Sequence, residues 1–396
     1  MNRHLLTFFV ISLLIGGCSY LSTRPGPQGE RSFAGALRQV SRQPQSERQA
    51  FLDNLVRDRA LPVCEGEECF FLYKAKPKHT VRVAGDWNGW NPRVDVMKPI
   101  RGTRYYLLKK RFPSDARLDY KIIDDDQWLL DPLNPRTCEG GAGPNSELAM
   151  PGYVEPEELL PHPDIHHGVV EEMVFKSTIL DGTRTISVYL PPGYGRVSSS
   201  HPFLIVHDGS DYVRLARFPD VADVLIAEKK VRPLVLVFVD PRDRDEEYGR
   251  SEKYLRFTVE ELIPYLRAQY ELGRNAEDCG VLGVSLGGFA AFRLAWRYPE
   301  VIGKMAGQSS YFGTDESLFE AIKNSPAKPI QLYLDVGRFE QDGAATPLGQ
   351  NRRMRDLLGA KGYVLTYAEH NEGHSWGNWR AHVDDILTAF WPRIPV

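Results

Sequence analysis

The sequence has no block of like charge: 49 lysines and arginines stand against 52 aspartates and glutamates, spread over 396 residues. Binding to nucleic acid needs a basic stripe or patch, so nucleic acid is excluded as a partner. Long apolar runs are also missing. The longest, Leu5 to Ile15, falls short of the roughly 20 residues that cross a bilayer; following Arg3, it reads as an export signal rather than a span. Cysteine is scarce, five in all, and Cys64 and Cys69 have neither histidines nor a second pair at zinc spacing. His162, His166 and His167 stand in a proline-rich stretch with no framework to fix a coordination geometry, and Asp124, Asp125 and Asp126 read as a solvated hairpin tip. No metal and no cofactor is expected. The chain has no internal repeat of about 20 to 50 residues and no low-complexity block.

The apolar run ends in Ile15-Gly16-Gly17-Cys18, which resembles the bacterial lipobox. That resemblance implies removal of residues 1–17, lipidation of Cys18 and a chain anchored to the cell envelope, with Ser19 rather than an aspartate pointing to the outer membrane. Export permits disulfides. Cys64 and Cys69 flank a short acidic turn and can close a small loop, whereas Cys138 and Cys279 have no assignable partner.

Residues 18–60 read as a tether followed by a helical pattern, Phe33 to Arg59, interrupted near Pro44. Over 61–155 the pattern changes to short strands (FFLYKA, TVRVAGDW, YYLLKKR, LDYKIID) separated by turn-rich pieces, which predicts a small all-β sandwich. A proline- and acid-rich segment, 156–168, reads as a linker. From 169 to 396 strands alternate with helices, the pattern of an α/β domain with a mostly parallel sheet.

Within that domain Gly283-Val284-Ser285-Leu286-Gly287-Gly288 lies between an apolar strand pattern and an amphipathic helix pattern. A G-x-S-x-G string arises by chance about once in ten chains of this length, but strand, turn and helix around it form the context of a nucleophile elbow. Ser285 is therefore the candidate nucleophile. A serine hydroxyl needs a base, normally histidine, oriented by a carboxylate, and in this context the order along the chain is serine, acid, histidine. His374, in the loop NEGHSWGNW before the last helix, is the expected base; His370, still on the preceding strand, is the competitor. The acid falls in the loop after QLYLDVG, where Glu340 is preferred over Asp335 and Asp342. The backbone N–H of Leu286 is one expected oxyanion donor, and Ser210, after FLIVHDG, supplies the second.

These residues bring a family into view. The segment from Val169 onward, with TISVYLPPGY, FLIVHDGSDY, VFVDPRDRDEEY, GVSLGGFAAFRLAWRYPEVIGK and EGHSWGNWR, resembles the enterochelin-esterase-like branch of the esterase D and antigen 85 family. The resemblance implies an α/β-hydrolase domain in which Ser285 is the nucleophile, His374 the base, Glu340 the acid and Ser210 an oxyanion residue. VAGDWNGWNP, LLDPLNPRT and GPNSELAMPGY look like the early-set immunoglobulin-like domain of such esterases. Arg242, Arg244 and Arg250 follow the strand VLVFVD, whose C-terminal end faces the ligand crevice of such sheets. Arg244 and Arg250 are thus expected to recognise an anionic ester such as a catecholate siderophore, unless they form an exposed salt-bridged loop. Trp87 and Trp90 either stack on a sugar or aromatic substrate or fill the sandwich core. The expected function is hydrolysis of a siderophore or other small ester, or of a feruloyl or acetyl ester on plant polysaccharide. A non-catalytic, ligand-binding lipoprotein is the reading from another class.

Overall fold

The computed structural model describes residues 32–195, 200–313, 316–343 and 345–393; the expected export signal and Cys18 lie outside them. Two short helices come first, Phe33–Val40 and Arg48–Val56. Ser32 caps the first, its Oγ accepting the Gly35 N–H at 3.0 Å. Phe33, Val40, Leu52 and Val56 bury their side chains against Phe70, Leu72 and Tyr105, so the helical segment is docked on the β-region that follows.

That region is built of two antiparallel sheets. One pairs Glu68–Lys74 with Tyr105–Arg111; the other is centred on Arg117–Asp124, flanked by Val81–Gly85 and Asn145–Ala149. Alternate residues of both sheets, among them Phe71, Val81, Val83, Leu118, Tyr120, Ile122 and Leu148, meet in one core. Cys64 and Cys69 form a disulfide across the first turn, while Cys138 and Cys279 are buried free thiols.

The C-terminal domain carries an eight-stranded sheet: β1 (Val169–Ser177), β2 (Gly182–Leu190), β3 (Phe203–His207), β4 (Val235–Val239), β5 (Cys279–Val284), β6 (Lys304–Gln308), β7 (Gln331–Gly337) and β8 (Val364–His370). Their spatial order is 1-2-4-3-5-6-7-8, with β2 antiparallel to its neighbours and β3 to β8 parallel. The runs FLIVH, VLVFV and CGVLGV are buried at every position, as expected of parallel strands covered on both faces. Two apolar cores, one on each face, lock the helices to the sheet.

Two segments differ from the sequence reading. The linker is strapped to the α/β domain: Leu159 is buried in its core, Lys230 binds Glu158 at 2.8 Å, and Asp223 binds His167 at 3.0 Å and the Gly168 N–H at 2.9 Å. The arginine cluster after β4 is not a free loop. Asp243 accepts the Glu246 N–H at 3.0 Å and starts a helix, Arg244–Gly249.

Candidate active site

Strand β5 delivers the chain to Ser285, which holds φ 54° and ψ −119° before the helix Leu286–Arg297 begins. A residue with a Cβ pays strain there, and the surroundings fix it in place: the Ser285 N–H donates to Gln308 O and its carbonyl accepts from the Tyr311 N–H, both at 2.9 Å. Two glycines make the turn possible. A Cβ on Gly283 would stand 2.2 Å from the Gly287 backbone, and one on Gly287 would stand 2.9 Å from Asp208 Oδ2. The Leu286 N–H, first of its helix, adds the partial positive charge of that helix end beside the hydroxyl.

Of the three candidate carboxylates, Glu340 reaches the histidine. Its Oε2 lies 2.8 Å from His374 Nδ1, while Oε1 accepts the Gly337 N–H at 2.8 Å and the hydroxyl of Ser309. Ser309 Oγ in turn accepts the Trp379 Nε1–H at 2.9 Å. With its side chain fully enclosed, Glu340 has one orientation. Asp335 stays inside β7, where burial pushes its carboxyl up to about 7; Asp342 sits at the surface, paired with Arg352 at 2.6 Å. His374 is about a third open, 37 % exposed. Burial opposes charge on its ring, but the charge and hydrogen bond of Glu340 outweigh that and hold the imidazole above its usual value. Donation from Nδ1 leaves Nε2 as an acceptor. His370 packs flat on His382, centroids 3.4 Å apart, and burial pushes it down to about 3.

Ser285 and His374 line one cavity of about 240 Å³, together with Asp208, Asp211, Arg244, Val284, Trp376 and Trp379. A second cavity, about 440 Å³, shares His374, Trp376 and Trp379 and is walled on the far side by Trp90, Asp119, Lys121, Trp128, Gly140–Gly143 and Asn145 of the β-region. The mouth of the site therefore lies between the two domains.

Several expected residues stand elsewhere. The Ser210 N–H is occupied, donating to Asp240 Oδ1 at 3.0 Å, so it is not free for an oxyanion. Arg244 lines the smaller cavity, but its fork grips Asp208 at 2.9 and 2.8 Å and reaches Val284 O at 3.2 Å. Only its Nη1 has no partner among the described residues. Arg250 is exposed at the end of its helix and lines neither cavity. Trp87 belongs to the core, its ring tilted among those of Phe71, Phe112 and Tyr120, with its Nε1–H on Asp95. Trp90 does face the larger cavity. Asp124 is no free hairpin tip: it accepts from Tyr73 and meets His79.

The sequence reading missed Trp128, Trp376, Trp379 and Asp208. The last two tryptophans were signalled by their place directly after His374, since a loop that presents a base also lines its cavity. Nothing in the sequence marked Trp128, an exposed residue on the short strand Gln127–Leu129.

Comparison with known proteins agrees with this arrangement. The sequence profile of a family described as "Putative esterase" matches residues 177–390, more than half of the chain. An iron(III) enterobactin esterase of Escherichia coli K12 is 25% identical over 288 residues, covering 66% of this chain and 70% of that protein. An endo-1,4-beta-xylanase/feruloyl esterase of Xylanibacter ruminicola is 25% identical over 243 residues, 57% of this chain and 32% of that protein. The ferric enterobactin esterase of Salmonella typhimurium superposes with a TM-score of 0.70 at 18% identity, covering 84% of this chain and 96% of that one. With a strand order that leads into a serine elbow and a matching profile over most of the α/β domain, this chain belongs to the esterase family.

Proposed function

We propose that the chain is a serine carboxylic ester hydrolase working through an acyl-enzyme on esters whose acyl part carries a planar aromatic ring. The observation that carries this reading is the Glu340–His374 hydrogen bond at the cavity that also holds the Ser285 elbow. Ser285 Oγ attacks the ester carbon as His374 Nε2 takes its proton, and the negative oxygen forms beside the Leu286 N–H. The bond to the alcohol then breaks, and the departing oxygen takes the proton from His374. Water attacks the acyl carbon, gives its proton to the same nitrogen, and Ser285 leaves with that proton restored. Arg244 Nη1 is the cationic N–H left for a ligand in the smaller cavity.

Four tryptophans around the larger cavity, Trp90, Trp128, Trp376 and Trp379, support an acyl part that carries an aromatic ring, since flat faces stack on flat faces. A catecholate siderophore ester is the leading class. A feruloyl ester on plant polysaccharide is second, supported by the feruloyl esterase among the relatives.

The test combines labelling with turnover. A fluorophosphonate labels the wild type and not Ser285→Ala, and the substitution lowers kcat by about six orders of magnitude on whichever of a ferric catecholate trilactone, feruloylated xylan or a nitrophenyl ester is hydrolysed. An unlabelled wild type marks a binding protein on a hydrolase scaffold. The lipobox-like segment supports an exported chain held to the envelope through lipidated Cys18; Cys18→Ser then moves the protein from the membrane to the soluble fraction, and an unchanged membrane fraction sinks the anchor.

A further inference from the structure

We propose that Arg117, a residue of the β-region, is a positioning residue for His374: it holds the loop carrying the imidazole in the register at which the ring meets Glu340. This rests on the esterase reading above and extends it to the other domain. Arg117 opens the strand Arg117–Asp124 and is fully buried. Its charge is paired with Asp119 at 2.8 Å and Glu147 at 2.7 Å, both from its own domain. Two further hydrogen bonds cross to the α/β domain and straddle the histidine. The Arg117 N–H donates to Asn371 O at 3.2 Å, and Nη1 donates to Ser375 Oγ at 3.3 Å. Asn371 Nδ2 is tied in addition to Asp115 Oδ1 at 2.8 Å. Gly377 lies so close that a Cβ there would stand 1.9 Å from the guanidinium, and a Cβ on Gly373 would stand 2.1 Å from Cγ of Asp86. The segment 371–377 is thus moulded on charged groups of the β-region, with no slack for a side chain between them.

The acid loop rests on the same domain. Phe339, next to Glu340, meets the Phe112 ring edge-on at 6.0 Å, and the Gln341 side chain lies over Gly89. Two backbone bonds, Arg338 N–H to His370 O at 2.7 Å and Phe339 N–H to Glu372 O at 3.0 Å, join the two loops. Acid and base hang on loops after neighbouring strands, so the surface beneath both loops helps to set their 2.8 Å contact, and Arg117 is the buried charge at its centre.

The experiment is steady-state kinetics on an aryl ester with wild type, Arg117→Lys, Ser375→Ala, Glu340→Gln and the Lys/Gln double variant. Lysine keeps the charge against Asp119 and Glu147 but loses the fork. We expect kcat of Arg117→Lys to fall about 100-fold, the size of effect that a misplaced reacting group gives. KM stays within about threefold, since Arg117 does not touch substrate. In the Glu340→Gln background the same change costs less than about threefold, because the pair it aligns is already broken. Ser375→Ala, which leaves both ion pairs intact, shows a smaller loss of kcat that also vanishes without Glu340. Urea midpoints establish folding; if Arg117→Lys does not fold, Ser375→Ala decides on the same criteria. A folded Arg117→Lys enzyme with wild-type kcat, or a loss undiminished in the Glu340→Gln background, overturns the proposal. A wild type with no Ser285-dependent turnover sinks the esterase reading instead.

Discussion

Glu340 is fixed by a backbone N–H and a serine hydroxyl on one oxygen and faces the imidazole with the other, so its charge sets both the tautomer and the proton affinity of His374. In the proposed mechanism the base must be neutral to accept the Ser285 proton, so kcat/KM falls as pH drops through the His374 value, which lies above the ordinary histidine value of about 6.5. Glu340→Gln removes the charge that raises it. The acidic limb of the pH–rate profile then moves to lower pH, and plateau kcat drops about 10⁴-fold, as when a triad carboxylate becomes an amide. Asp342→Asn breaks an exposed pair with Arg352 and leaves kcat within about twofold. An unmoved limb in Glu340→Gln would show that another group supplies the shift. The serine and histidine were legible in the sequence because each sits in a loop whose flanking strand and helix announce themselves. Choosing among Asp335, Glu340 and Asp342 depended on which side chain turns inward from an eight-residue stretch.

At the level of elements, the parallel strands were read from their unbroken apolar runs, and β3, β4 and β5 proved buried at every residue. Contacts between distant elements left no such trace. Arg117 and Asp86 look in sequence like ordinary strand and turn charges, and only the docking of the domains shows that they press on Gly377 and Gly373. Two tryptophans three residues apart, Trp87 and Trp90, take opposite roles because the 3₁₀ turn Asp86–Asn88 sends one into the core and the other to the cavity. The short strand Gln127–Leu129 adds Trp128, 46 % exposed, to the same cavity. Trp128→Ala is expected to raise KM about tenfold for a bulky aromatic ester, in line with a lost ring stack of 1 kcal/mol or somewhat more. Nitrophenyl acetate, too small to span the cavity, shows no change; equal effects on both substrates would take the acyl group out of that cavity.

Across the whole molecule the buried titratable groups divide by sign. His207 and His370 are pushed down to about 4 and 3, chiefly by burial, so they stay neutral in the fold while the unfolded chain protonates them below about 6.5; stability from this pair is lost as pH falls through that value. His382 behaves oppositely. Burial disfavours its charge, but the carboxylates of Asp385 and Glu372 beside it prevail and raise it to about 10. Its contribution is complete below the unfolded histidine value and declines as pH climbs toward 10. Between pH 7 and 8.5 the histidine opposition has ended and His382 acts with His374 in the same direction, so Tm should fall over that range, and His382→Gln should flatten the fall. A Tm that rises there would mean His382 is not charged in the native protein.

Burial also raises the thiols of Cys138 and Cys279, to about 11 and 12, leaving almost no thiolate at neutral pH. Neither an oxidant nor an alkylating dye finds a nucleophile at these positions until the two cores come apart. Each domain therefore carries a silent reporter, Cys138 for the β-region and Cys279 for the floor of the catalytic sheet. The order in which they react on warming would reveal which half of the enzyme lets go first.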